Sequence, residues 1–126
     1  MTTENEQLVQ QTMAQLIGDG GVAAVEHLVS EDFRHYRPEG LVRTKSEWLA
    51  DISRSLLSLE GMQVEILHLL SDGDYVVIHT RRRLPDGKPG IVVVDILRIA
   101  DGQFTEVWEL VEPVASAQAH LTWWEL

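Results

Sequence analysis

The sequence predicts an α+β fold: three N-terminal helices packed on a curved antiparallel sheet that encloses one small-molecule pocket. Three observations lead there. Apolar residues recur at helical spacing up to Gly61 and at every second position beyond it, so helices come first and strands follow. Two helix-opening motifs, Thr3-x-x-Glu6 and Thr44-x-x-Glu47, both fall in the helical half. In the other half, Ser71-Asp72-Gly73-Asp74 and Ala100-Asp101-Gly102 read as tight turns, and long strands joined by tight turns are antiparallel neighbours.

The first helix opens at Thr3, where a Ser/Thr hydroxyl and a Glu carboxylate three residues on cap each other's backbone N–H groups. Val9, Met13, Leu16 and Ile17 form its apolar stripe, and Gly18-Asp19-Gly20-Gly21 stops it. Val22, Val25, Leu28 and Val29 predict a short second helix ending near Ser30. Residues 33–36 form an extended piece, and Pro38-Glu39-Gly40 is a turn. The third helix opens at Thr44, carries Trp48, Leu49, Ile52 and Leu56 on one stripe, and ends at Gly61. Strands are predicted at 62–70, 75–84, 91–99 and 103–112, with a loop at 85–90 and Pro113 closing the last. Residues 114–126 form a tail whose Trp123 and Trp124 are expected to plug the domain or dock on a second subunit. The chain reads as one domain, residues 1–126, with its core at about 8–113.

A chain of 126 residues buries about two-thirds of its unfolded surface, enough for a core without covalent staples. Cysteine is absent, which excludes disulfides, thiolate nucleophiles and zinc–thiolate centres. The formal net charge of −10 repels phosphate backbones, so nucleic acid is not an expected partner. Arg81-Arg82-Arg83 is the one basic cluster; two of its side chains would share a strand face and could touch a partner or an anionic ligand, but a solvated strand end is the plainer reading. The N-terminal run MTTENEQLVQ is acidic and polar, unlike a signal or transit peptide. No apolar run approaches the ~20 residues that span a bilayer. A cytoplasmic protein without a membrane partner is the expectation. Gly-x-Ser-x-Gly, a phosphate loop and a dinucleotide fingerprint are all absent, so hydride and phosphoryl transfer have no support.

Two carboxylates stand in apolar strand surroundings: Asp95 within Val93-Val94-Asp95-Ile96-Leu97, and Glu109 within Val107-Trp108-Glu109-Leu110-Val111. Burial without a partner penalises the ionised form and raises the pKa. A carboxylate tuned upward is what a general base for C–H chemistry needs. Whether both acids face one way depends on the turn. A two-residue primed turn at Asp101-Gly102 sets Asp95 opposite Trp108 and turns Glu109 away. A three-residue loop at Ala100-Asp101-Gly102 sets Asp95 opposite Val107 and Glu109 opposite Val93, with both acids on one face.

The five histidines are scattered with no metal-pair spacing, so no metal site is expected. His35, near the helix–sheet joint, and His79, mid-strand, suit polarising a carbonyl or relaying a proton. His27, His68 and His120 are not candidates. Tyr36 and Tyr75 carry hydroxyls able to donate to an oxyanion, though packing is the plainer role. Trp48 and Trp108 read as core or interface residues.

The run Val94-Asp95-Ile96-Leu97-Arg98-Ile99-Ala100-Asp101-Gly102-Gln103-Phe104-Thr105-Glu106-Val107-Trp108-Glu109 resembles the SnoaL-like polyketide cyclase family. That family's pattern is an aspartate-hydrophobic-phenylalanine-arginine strand, a glycine turn, then glutamate-histidine-tryptophan-aspartate. Phe33-Arg34-His35-Tyr36 echoes its tyrosine-x-histidine-asparagine, His79 matches a histidine late in its second long strand, and Pro113 fits its ending. The resemblance spans about residues 8–113. It implies the cone-like α+β barrel shared by ketosteroid isomerases and nuclear-transport-factor-like proteins, usually dimeric, with the three-residue turn and Glu109 in the pocket. It also implies cofactor-free aldol-type cyclisation or ketone isomerisation. Glu109 would abstract an acidic C–H proton, and Asp95, His35 or His79 would hold the oxygen that gains charge. A small hydrophobic carbonyl-containing ligand would then meet Tyr36, Trp48, Val93 and Val107.

Three positions depart from the pattern. Val107 stands where the family has histidine, Glu109 where it has aspartate, and Tyr36 where it has asparagine. Losing that histidine removes a proton relay, so a non-catalytic binding or assembly domain on the same scaffold is the alternative. Glu106, Trp108 and Leu110 share the sheet face opposite the pocket, which predicts a homodimer.

Overall fold

Both capping boxes form in the structure, a computed structural model that describes residues 2–18, 20–87 and 89–125. Asp19 of the predicted glycine stop and Lys88 of the 85–90 loop lie outside the described residues. Helix α1 is Glu4–Ile17: the Thr3 hydroxyl accepts from the Glu6 N–H at 3.1 Å, and the Glu6 carboxylate accepts from the Thr3 N–H. Helix α3, Lys45–Ser58, repeats the motif, with the Thr44 N–H donating to Glu47 Oε1 at 2.9 Å. These caps satisfy backbone donors that a helix start leaves without partners. The apolar stripes then bury Val9 from α1 and Leu49 from α3, with Leu8, Met13 and Trp48 packed beside them.

Helix α2 is shorter than its apolar spacing predicts. It covers Gly21–Val25, a single 3₁₀ turn at Glu26–Leu28 follows, and strand β1 starts at Val29. Val29 pairs with Phe104 in the sheet and is buried. A β-branched residue with a ladder partner belongs to a strand, and that tertiary pairing overrides helical spacing.

The sheet has six strands: β1 Val29–Tyr36, β2 Val42–Thr44, β3 Gln63–Asp72, β4 Tyr75–Arg83, β5 Ile91–Ala100 and β6 Gln103–Pro113. They lie in the order β2-β1-β6-β5-β4-β3, in a curved sheet that stays open, with β2 and β3 at its edges. The four predicted strands form the antiparallel run β6-β5-β4-β3. Strand β1 adds to β6 in parallel, and β2 hangs on β1. The parallel pair joins residues some seventy positions apart, and β2 has only three residues, too few to display a period.

The β5–β6 hairpin sets the direction of both candidate acids. Its turn has two residues, Asp101 and Gly102, with φ of 53° and 74°. Positive φ at both central positions makes it a primed turn, whose twist suits a hairpin. The three-residue loop that the family resemblance implied is therefore absent. Yet the acids do share a face, because Ile99 pairs with Phe104 while Arg98 pairs with Glu106. Thr105 is the extra residue of a β-bulge, and its hydroxyl donates to the Arg98 carbonyl at 3.2 Å. One inserted residue moves the register by one, so Asp95 lies directly opposite Glu109. Neither predicted register had this pairing.

Alternation along the strands sends Phe33, His35, Val76, Ile78, Thr80, Val93, Asp95, Phe104 and Val107 to the helix side, all of them buried. Phe33 is fully buried at the centre, its ring 4.6 Å from that of Trp48. The tail does not plug the domain: Trp123 and Trp124 are 68% and 65% exposed. It is tied back by His120, whose Nδ1 lies 3.0 Å from Glu112 Oε1. Among the described residues, no helix is long and apolar enough to cross a membrane.

Candidate active site

Between α1, α3 and the inner sheet face lies a cavity of about 470 Å³, well within the range that takes a small molecule. Met13, Leu16 and Ile17 of α1 and Trp48, Ile52 and Leu56 of α3 form one wall; Ile78, Leu97, Phe104 and Val107 of the sheet form the other. Beside Glu39, Arg43 and Asp51, five ionisable side chains interrupt this apolar lining: His35, Arg37, Arg82, Asp95 and Glu109. Each arrives by strand alternation. Asp95 and Glu109 come from facing positions of β5 and β6. His35 follows Phe33 on β1 at an interval of two, and Arg37 continues that face just past the strand end. Arg82 follows Ile78 and Thr80 on β4.

The facing carboxylates have opposite surroundings. Asp95 is 8% exposed, and among the described residues its cationic neighbour is Arg82, with Nη2 3.4 Å from Oδ2. Burial, reinforced by the charge of Glu109 and only partly offset by Arg82, pushes Asp95 up to about 7. Glu109 is also desolvated, which acts upward. The His35 imidazole and the Arg37 guanidinium outweigh that and hold it below the usual carboxylate range. Arg37 Nη1 donates to Glu109 Oε1 at 2.8 Å, and His35 Nε2 stands 3.6 Å from the same oxygen. Both His35 ring nitrogens are buried without a hydrogen-bond partner, and its ring stacks on Trp48 at 5.7 Å. The raised carboxylate is thus Asp95, while Glu109 is the one whose ionised form is favoured.

Of the predicted site residues, Glu109, Asp95, His35, Trp48 and Val107 all line the cavity. Val93 is buried two positions from Asp95 but outside the lining. Tyr36 and His79 alternate to the opposite sheet face. Tyr36 stacks on Trp108 at 5.2 Å and donates its hydroxyl to Glu106 at 2.9 Å. His79 Nδ1 lies 2.9 Å from His68 Nδ1, one ring donating to the other. Period two puts His79 out because Ile78 and Thr80 are in. Arg37 and Arg82 were not predicted. The same alternation carried the signal for both, since Phe33 and His35 point in with Arg37 next, and Arg82 is the inward member of the basic cluster read as solvated. Among the described residues, no group of three or more His, Asp or Glu side chains is arranged to hold a metal ion.

Comparison with solved structures places this fold among known ones. A candidate ketosteroid isomerase from Kribbella flavida superposes with a TM-score of 0.72 at 22% identity, covering 90% of this chain and 81% of that one. A candidate SnoaL-like polyketide cyclase from Shewanella putrefaciens gives 0.77 at 15% identity, covering 94% and 88%. IdmH, a candidate polyketide cyclase from Streptomyces antibioticus, gives 0.75 at 15% identity, covering 94% and 99%. At such identities the likeness speaks for the fold alone. No curated protein matches the sequence. The SnoaL-like domain profile matches residues 9–107, most of the chain and all of the cavity-bearing strands except the end of the last. The chain therefore belongs to the SnoaL-like domain family.

Proposed function

We propose that the cavity carries out cofactor-free acid–base chemistry at a carbon next to a carbonyl, with Asp95 as the group that takes and returns the proton. The observation that carries this reading is the pairing of Asp95 with Glu109 across the bulged hairpin: two carboxylates in one cavity, one near neutrality and one held ionised. A base poised near the working pH combines a useful ionised fraction with a useful driving force for transfer. Ionised Asp95 removes a proton from the carbon beside the carbonyl, leaving an enolate. Arg82, beside Asp95 in the lining, is placed to take the charge that develops on oxygen. Protonated Asp95 then returns the proton to a different carbon, which is a ketone isomerisation. Alternatively the enolate carbon bonds to a second carbonyl of the same molecule, and Asp95 protonates the alkoxide, which is an aldol closure. The structures named above as a candidate isomerase and candidate cyclases support both outcomes.

The lining also points to a ligand without a charge. Every arginine of the cavity already faces a carboxylate: Arg37 faces Glu109 and Glu39, Arg43 faces Asp51, and Arg82 faces Asp95. A small, mostly apolar ketone fits better than a carboxylic acid. A cavity that binds without turnover is the competing reading, and Val107, apolar where the family resemblance places histidine, favours it.

A β,γ-unsaturated cyclic ketone in deuterated buffer separates the two. The expected result is deuterium uptake beside the carbonyl and conversion to the conjugated ketone, with Asp95→Asn slower by at least ~100-fold. Equal rates for wild type and variant would remove Asp95 from the chemistry. Binding of the ketone with no exchange by wild type would establish the non-catalytic reading. We also infer that the outer sheet face, with Leu110 51% and Tyr75 44% exposed beside Trp108, meets a second copy of the chain. Sedimentation should show a dimer that Leu110→Asp dissociates; a monomer at every concentration would end that inference.

A further inference from the structure

Two carboxylates facing each other in a cavity compete for one proton, and the surrounding charges decide which of them holds it. The charged and titratable groups around this pair come from several elements: His35 from β1, Arg37 just after it, and Glu39 in the following turn. Arg43 of β2 with Asp51 of α3, and Arg82 of β4, complete them. Among the described residues, the cations that reach the pair are Arg82 on Asp95 at 3.4 Å and Arg37 on Glu109 at 2.8 Å. The tighter contact is on Glu109, which also has His35 Nε2 at 3.6 Å.

Arg37 is itself held from behind. Its Nε donates to Glu39 Oε1 at 3.2 Å. Its backbone N–H donates to the Leu41 carbonyl at 2.9 Å, and its carbonyl accepts from the Gly40 N–H at 3.0 Å. Gly40 closes this turn at φ +92°, a conformation that costs glycine little. The guanidinium is thereby fixed at the cavity edge, between an exposed carboxylate outside and Glu109 inside.

We propose that Arg37 is a positioning residue that, by clamping Glu109 from the β1–β2 turn, assigns the shared proton of the facing carboxylates to Asp95. Its use in turnover rests on the acid–base reading above, but where the proton sits is a property of the protein without ligand. Without the guanidinium, half-buried Glu109 is left with His35 at 3.6 Å while Asp95 keeps Arg82 at 3.4 Å, so the cation that favours ionisation then stands on Asp95. The first proton taken up on lowering the pH does not vanish; it changes host from Asp95 to Glu109. The β1–β2 turn, which makes no contact with the reacting carbon in this scheme, thus sets which acid exchanges protons with the ligand.

Site-resolved carboxyl NMR titration of wild type, Arg37→Gln and Arg37→Lys tests this directly. The expected result is that Arg37→Gln transfers the higher titration step from Asp95 to Glu109, while Arg37→Lys, which keeps a cation, leaves it on Asp95. Glu109 titrating below the ordinary carboxylate range in folded Arg37→Gln overturns the proposal. Should Arg37→Gln fail to fold, Glu109→Gln supplies the test: loss of the facing charge should lower the Asp95 step, and an unchanged step overturns the proposal. Failure of wild type to exchange the ketone would sink the proposed function and leave this titration untouched, so the two can fail separately.

Discussion

The two faces of the β5–β6 hairpin are built from the same strands and alternate residue by residue, yet they treat charge in opposite ways. On the inner face, buried Asp95 and half-buried Glu109 meet in the cavity, and one is pushed up while the other is held down. On the outer face, Glu106 is shared between Arg98 at 3.0 Å and the Tyr36 hydroxyl at 2.9 Å, in contact with solvent. Exposed ion pairs contribute little to stability because water screens them and side-chain order is lost in making them. Buried carboxylates cannot be indifferent in that way: each must be paired or protonated. In this hairpin the neighbours of an acid, more than its own exposure, separate a group with chemistry from one with a surface role: the Glu109 and Glu106 side chains are 24% and 25% exposed, but only Glu109 faces a second carboxylate.

The largest effect expected on this contrast is in the core beneath the cavity. Phe33→Ala removes a fully buried ring packed on Trp48 and should cost ~3–5 kcal/mol in urea unfolding. Leu110→Asp, on the outer face, should cost the diluted monomer under ~0.5 kcal/mol while breaking association. Equal losses would erase the distinction between the faces.

Next comes pH. Asp95 holds its proton more tightly in the folded chain, at about 7, than at its ordinary 3.8. Between those values the folded chain keeps a proton that the unfolded chain has lost, so this group makes stability fall as pH rises from about 4 to about 7. At ~1.4 kcal/mol per pH unit the full effect is on the order of 2–4 kcal/mol. Glu109 has the opposite sign: held low, it contributes stability at neutral pH that is lost as pH drops below the usual carboxylate range. Asp95→Asn should therefore flatten the decline expected of the wild type between pH 5 and 7 in urea midpoints. A wild type equally stable at both pH values would mean that Asp95 is not desolvated.

The smallest effect tests the outer face alone. Glu106→Gln should leave both the urea midpoint and the pH dependence of stability nearly where they are, because its ionic partner Arg98 is exposed and the amide still accepts from the Tyr36 hydroxyl.

Much of this molecule was legible in its sequence because the signals were local. Thr3-x-x-Glu6 and Thr44-x-x-Glu47 announced two helix starts, and four strand runs announced most of the sheet. What escaped was non-local or a single residue in size. The pairing of β1 beside β6 joins distant segments, and three residues of β2 have no readable period. The bulge at Thr105 is one residue whose side chain gives no warning, yet it alone brings Glu109 opposite Asp95. The cavity position of Glu109 was reached from a turn that does not exist, so agreement in outcome concealed a different geometry. Arg37 and Arg82 were overlooked because arginines near strand ends usually face water. Their place in the alternation, two beyond His35 and two beyond Thr80, was the signal that applied. The pKa order of the two acids needed coordinates, since it depends on which carboxylate each guanidinium reaches.

A carboxyl titration of the wild-type protein by ¹³C NMR, with Asp95 and Glu109 assigned by their Asn and Gln variants, reads out which of the facing acids holds the proton. Asp95 should titrate at about 7 and Glu109 below the ordinary carboxylate range. Asp95 titrating near 3.8, or Glu109 appearing as the higher of the two, would contradict it.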